Sequence, residues 1–95
     1  MQINIQGVGI KLTDALKDYV NDKFKKLERK AELVTSITVT LTVEKLTQIA
    51  KADIAVAGSS LHAEATDESM YPAIDALIDK VDRQLVKYKE KIKQE

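Results

Sequence analysis

The chain has 95 residues, with 15 Lys plus Arg against 15 Asp plus Glu, three Tyr and one Phe, and neither Cys nor Trp. So short a chain supports one hydrophobic core, hence a single domain over 1–95, and the lack of Cys excludes a disulfide framework, a thiolate nucleophile and Cys-ligated metal sites. No apolar run approaches a membrane span and no leader opens the chain, so a cytoplasmic location is expected, while a formal net charge of zero stands at first sight against a nucleic-acid partner.

Gln2-Ile3-Asn4-Ile5-Gln6 alternates polar and apolar residues, the period of a half-buried strand, which Gly7 and Gly9 end. Thr13 is an N-cap candidate, with Asp14 in the first turn. Leu16, Tyr19, Val20, Phe24 and Leu27 then recur at helical spacing and predict an amphipathic helix to about Arg29. Ser36 to Glu44 is the clearest strand, with Ile37, Val39, Leu41 and Val43 alternating with Thr38, Thr40, Thr42 and Glu44. A connection through Leu46 to Ala50 leads into a third strand over Ala52-Asp53-Ile54-Ala55-Val56. Gly58-Ser59 is a two-residue hairpin candidate, and Leu61, Ala63 and Ala65 alternate with His62, Glu64 and Thr66 in a last strand.

Asp67 and Ser69 are cap candidates for a second helix, and Pro72 favours a start near Ser69 because the first turn has no N–H partners to lose. Met70, Ile74, Leu77, Ile78, Val81, Leu85, Tyr88 and Ile92 keep helical spacing to the end of the chain. A helix of about 24 residues spans about 36 Å, against about 20–27 Å for a strand of six to eight residues. Its end, with 90–95 as a tail, is therefore expected to overhang the sheet. The order β-α-β-β-β-α reads as an α+β fold, a four-stranded sheet with two helices packed on one face. Its first βαβ unit sets strands one and two parallel through a right-handed crossover.

Catalysis finds little support. The single histidine, His62, lies on the polar face of the last strand beside Glu64. His-Ala-Glu matches the short H-x-E element of zinc deaminases, but that chemistry also needs Cys ligands. No Asp/Glu cluster has an ion-binding spacing, and no phosphate loop, nucleophile elbow or triad pattern is present. A non-enzyme without cofactor or metal is expected, with His62 an ordinary sheet-surface residue. Tyr19, Phe24, Tyr71 and Tyr88 all fall on helices, so the strands carry no ring on which RNA bases would stack.

The charges separate once they are placed on the helices. With Ile74 as origin, Asp82, Asp75 and Asp79 fall roughly 80–140° to one side of the apolar arc of the second helix; Lys91, Lys80 and Lys87 fall roughly 100–140° to the other, with Arg83 opposite. Lys89 and Lys93 add to the basic end. On the first helix Lys23, Lys26 and Lys30 edge the apolar arc. Such a stripe is more often a solvated helix face, and Lys near a helix C-terminus complements the dipole. Segregation of sign is what favours a binding surface. From another class, the overhanging end of the second helix would dock on a partner helix through Val86, Tyr88 and Ile92. A free double-stranded-RNA binder is a third reading.

Met1-Gln-Ile-Asn-Ile-Gln-Gly, Thr13-Asp-Ala-Leu, Val43-Glu-Lys and above all the block from Met70-Tyr-Pro-Ala through Leu85-Val-Lys-Tyr-Lys resemble the family of ribosome hibernation-promoting factors and ribosome-associated inhibitors (protein Y). The resemblance covers 1–95 without gaps, and is to the short form, which lacks the C-terminal extension of the inhibitors. It implies a fold similar to double-stranded-RNA-binding domains and a factor bound to the small ribosomal subunit (16S rRNA), in the cleft between head and body over the mRNA and tRNA sites. It further implies translation inhibition in stationary phase and, with ribosome modulation factor, promotion of inactive ribosome dimers. The rRNA contacts it implies are Lys23, Lys26, Lys80, Arg83 and Lys87, with Lys45 and Lys89 as further matches; the helical wheel adds Lys30 and Lys91. Pro72 and Tyr88 depart from the family pattern, which has a small helix former and a His there. The free protein is expected to be a monomer.

Overall fold

The computed structural model describes residues 2–30 and 32–93, with the backbone alone at Lys30, Ile92 and Lys93. Strand β1 (Gln2–Val8), helix α1 (Asp14–Lys25), strands β2 (Val34–Glu44), β3 (Thr47–Val56) and β4 (Ser59–Asp67) and helix α2 (Met70–Lys93) follow in that order, with a 3-10 turn at Glu28–Lys30. The sheet order is β1-β2-β3-β4. β1 is parallel to β2, and the other neighbours are antiparallel. The expected α+β arrangement is the one observed.

Every strand runs further than its alternation indicates. In β2 the register shifts between Val34 and Ser36, and the Thr35 hydroxyl donates to the carbonyl oxygen of Ala55 at 3.1 Å. This bulge lets Val34 and Ile37 both point inward, three residues apart, so a strict period of two begins too late, at Ser36. β3 begins at Thr47 rather than Ala52, because Lys45-Leu46 is a tight turn across which Glu44 faces Thr47. The second hairpin turns at Ala57-Gly58 rather than Gly58-Ser59. Ser59 already pairs with Val56, and Gly58 has φ 74°, a left-handed conformation that glycine takes without strain. Gly7 does not end β1; it is the close-approach point, where a Cβ would stand 2.9 Å from the carbonyl oxygen of Ile10.

Thr13 caps α1, its hydroxyl accepting the N–H of Leu16 at 3.2 Å. The helix ends at Lys25, four residues before the expected Arg29. The N–H groups of Lys26 and Leu27 reach back only three residues, to Lys23 and Phe24 at 3.3 and 3.0 Å, and the chain tightens into the 3-10 turn. Leu27 still enters the core, so apolar spacing cannot separate the two pitches. At α2 the N–H of Ala73 donates to the carbonyl of Ser69 at 3.3 Å, which makes Ser69 the cap. Pro72 then lies in the first turn, where no helical hydrogen bond is lost. Asp67 accepts the N–H of Ser69 at 3.1 Å and tightens the entry.

The inward rows Ile37–Ile54–Leu61, Val39–Ala52–Ala63 and Leu41–Ala50–Ala65 cross β2, β3 and β4 in register. They form one cluster with Leu16, Val20 and Phe24 of α1 and Ile74, Leu77, Val81 and Leu85 of α2. Burying these apolar surfaces, at about 25 cal/mol per Å², is the main favourable term in folding. The opposite rows, Thr38–Asp53–His62 and Thr40–Lys51–Glu64, form the polar outer face. Among the described residues no helix is long and apolar enough to cross a membrane.

The expected overhang is confined to the last residues of α2, beyond Lys91, and 94–95 lie outside the described residues. Because β3 and β4 extend to the Ala57-Gly58 turn, α2 remains over the sheet as far as Tyr88 and Lys91. Tyr88 is half-buried against the core, the side chain of Ile92 lies outside the described residues, and Val86, 37% exposed, is left alone. Among the described residues of that docking set, Val86 alone is exposed.

Candidate nucleic-acid interface

The fold places the two charged flanks of α2 against different neighbours. The acidic flank meets α1. The Tyr19 hydroxyl donates to Asp75 Oδ1 at 2.6 Å, Lys23 Nζ stands 3.4 Å from the same oxygen, and Tyr71 meets the Tyr19 ring edge to face at 4.7 Å. The Lys23 ammonium also lies 5.2 Å from the centre of that ring. The hydrogen bond to Asp75, followed by desolvation, pushes the Tyr19 hydroxyl above its ordinary pKa. The Asp75 carboxylate likewise raises the Lys23 ammonium, first by its hydrogen bond and then by its charge. Lys23 is therefore a tie between the helices, its charge answered by Asp75.

The basic flank meets the free edge of β4. Lys80 Nζ donates to the carbonyl oxygen of Glu64 at 2.7 Å, and Gln84 Nε2 to that of His62 at 2.5 Å. β4 ends the sheet, so these carbonyls point away from it, and covering them blunts an edge open to pairing with another chain. Lys87 and Lys91 continue the flank along the next two turns, with Arg83 a step round the helix. All four cations are exposed. Arg83, Lys87 and Lys91 have no hydrogen-bond or ion-pair partner among the described residues, and Lys80 ends on a neutral carbonyl. The charge of this ridge, about 16 Å long, is uncompensated.

The remaining candidates lie apart. Lys89 turns to the other side of α2, 3.5 Å from Glu32. Lys26 is exposed at the C-cap of α1. Lys45 is exposed in the β2–β3 turn with φ 54°, a left-handed conformation unusual for a residue with a side chain. That turn lies at the end of the sheet where α2 begins; Lys87 and Lys91 lie at the other end. The side chain of Lys30 lies outside the described residues. The basic stripes of α1 and α2 do not share a groove, since α1 meets α2 on its acidic flank.

Two features escape the sequence reading. Gln84 carries no charge, and only its position four residues after Lys80 on the same flank marks it as part of the ridge. His62 pairs not with Glu64 but across the strands with Asp53, Nδ1 to Oδ1 at 2.5 Å, while Ser60 Oγ lies 3.4 Å from Nε2. The order Ser–His–Asp is that of a hydrolytic relay. Here the His62 and Asp53 side chains are 68% and 60% exposed, and such a relay depends on a preorganised site that excludes water. Among the described residues no group of three or more His, Cys, Asp or Glu could hold a metal ion.

This chain is similar in fold and sequence to proteins named for the ribosome. Over 95% of this chain and 99% of its own, a ribosomal subunit interface protein from Coxiella burnetii has the same fold, with a TM-score of 0.90 and 29% identity. A ribosome hibernation promoting factor from Azotobacter vinelandii is 52% identical over 96% of this chain and 85% of its own length. Another, from Klebsiella oxytoca, is 48% identical over 99% of both. Residues 3–93 match the family described as Sigma 54 modulation protein / S30EA ribosomal protein. With nearly every residue matched and the β-α-β-β-β-α fold in common, the chain belongs to the Sigma 54 modulation protein / S30EA ribosomal protein family.

Proposed function

We propose that this protein is a non-catalytic ribosome hibernation factor that works by occupancy. Its α2 ridge holds phosphates of 16S rRNA in the small ribosomal subunit, over the mRNA and tRNA sites. Lys80, Arg83, Lys87 and Lys91 carry most of the attraction, with Lys26 and Lys45 as outlying contacts and Lys23, Lys30 and Lys89 as auxiliary ones. Specificity comes from the shape of the cleft rather than from base reading. The protein acts in the cytoplasm, as a single-domain monomer when free, and in stationary phase promotes inactive ribosome dimers together with ribosome modulation factor.

The observation that carries this reading is the uncompensated ridge on a chain of zero net charge. Acids on the sheet face and on the α1 side of α2 suppress indiscriminate RNA binding, so only a complementary cleft engages the basic side. About five phosphate contacts make affinity fall about 10³-fold between 50 and 200 mM salt. Cosedimentation with small subunits across that range tests it. Arg83, Lys87 and Lys91 changed together to Glu should abolish binding with the melting temperature nearly unchanged. Salt-indifferent binding, or binding that survives the triple change, would overturn the reading.

A further inference from the structure

Beside the ridge lies an open groove of about 450 Å³, between the β3–β4 turn and the last turns of α2. Leu61 and Tyr88, both half-buried against the core, supply its apolar lining. Lys87 and Lys91 line it on the helix side, and Ala57 and Ser59 on the strand side. Phosphate binding alone calls for cations and needs no apolar lining. A ring beside two uncompensated ammonium groups is instead the pairing that binds an unstacked base and its phosphate together.

We propose that this groove is a single-nucleotide subsite, in which one unstacked RNA base lies against Tyr88 and Leu61 while its phosphate sits between Lys87 and Lys91. The volume falls in the range of small-molecule sites. An extended peptide is a poorer occupant. A strand added to β4 would need its outward carbonyls, and Gln84 and Lys80 already occupy those of His62 and Glu64. The subsite rests on the rRNA-binding reading and adds to it one point of base contact on a surface that otherwise meets only backbone phosphates.

Two measurements test it. In the first, backbone amide NMR shifts of the full chain are followed during titration with millimolar adenosine monophosphate or with inorganic phosphate. Shifts at Ala57 and Leu61 with the nucleotide, absent with phosphate and absent in Tyr88→Ala, are expected, whereas phosphate alone shifts only the amides near Lys87 and Lys91. Equal shifts with phosphate, or none at the groove, overturn the subsite. In the second, Tyr88→Ala should weaken small-subunit binding about 10-fold or more without changing its salt dependence, while Tyr88→Phe, which keeps the ring, binds as the parent does. Melting curves of both variants confirm that they fold. Equal binding by Tyr88→Ala and the parent removes the subsite and leaves the ridge intact. Failure of the parent chain to bind subunits removes the ribosome reading, and the nucleotide shifts then decide the subsite independently.

Discussion

Lys80 reaches from α2 to the carbonyl oxygen of Glu64 on the edge of β4, 2.7 Å away. The contact is structural and electrostatic at once: it covers an unpaired carbonyl, and it holds a cation at the head of the ridge without neutralising it. Arg83, next along the ridge, makes no such bond. Lys80→Glu and Arg83→Glu should therefore both weaken subunit binding but differ in stability. The bond is exposed, so its loss costs about 0.5–1 kcal/mol, a fall of about 2–8 °C in melting temperature for a domain of this size. Thermal unfolding followed by circular dichroism reads the difference, and identical melting of the two variants would show that the bond contributes nothing.

The Asp75 cluster predicts an alkaline limit. The pKa values of Tyr19 and Lys23 are both raised in the folded state, from 10.0 and 10.5. A raised value means that the folded chain binds the proton more tightly than the unfolded one. The stabilisation is thus complete below the unfolded values and is lost as pH rises through the folded ones. Urea midpoints should hold steady from neutral pH towards 10 and then fall. Asp75→Asn, which removes the charge, should flatten that fall; an equally steep fall in this variant would contradict the assignment.

The core should respond sharply to truncation at one ring. Phe24 has no exposed surface, and Phe24→Ala should cost about 3–5 kcal/mol through lost burial and a residual cavity. That is a large part of the stability of a small domain, and much of the population should be unfolded at physiological temperature. Tyr71 is 43% exposed and meets Tyr19 edge to face, so Tyr71→Ala should cost less, about 1–2 kcal/mol. Urea titration of the two variants measures both.

Two backbone positions should behave oppositely. Pro72→Ala should leave stability almost unchanged, because the missing N–H falls in the unbonded first turn of α2. Gly7→Ala should cost about 1–3 kcal/mol, since the new methyl meets the Ile10 carbonyl at 2.9 Å and the Leu12 side chain at 3.0 Å. A Gly7→Ala protein as stable as the parent would show that the Ile10–Leu12 segment yields freely.

The order of elements, the Thr13 cap, the α2 start near Ser69 and the inward faces of the strands were all legible in the sequence. Each rests on local periodicity or on capping chemistry within a few residues. The strand limits were less so. The bulge at Thr35 breaks the period of two inside β2, and the Lys45-Leu46 turn lacks the glycine that marks tight hairpins. The end of α1 was hidden because Phe24 and Leu27 keep the same apolar spacing in an α-helical and in a 3-10 turn. The overhang of α2 was overestimated from strands judged too short; the longer strands accompany the helix as far as Lys91.

The same division holds for the charges. By itself the sequence determined that acids and bases occupy opposite flanks of α2, because a helix turns about 100° per residue whatever surrounds it. It also determined that the aromatic rings lie on helices and that no Cys chemistry is available. Only the tertiary structure decided which charges are answered. Packing α1 against the acidic flank joined Lys23 to Asp75, 52 positions away, and placing β4 at the sheet edge turned Lys80 and Gln84 towards backbone carbonyls. Net charge is a sum over the chain, whereas binding depends on the local field, and that field follows from which distant residues the fold brings within a few ångströms.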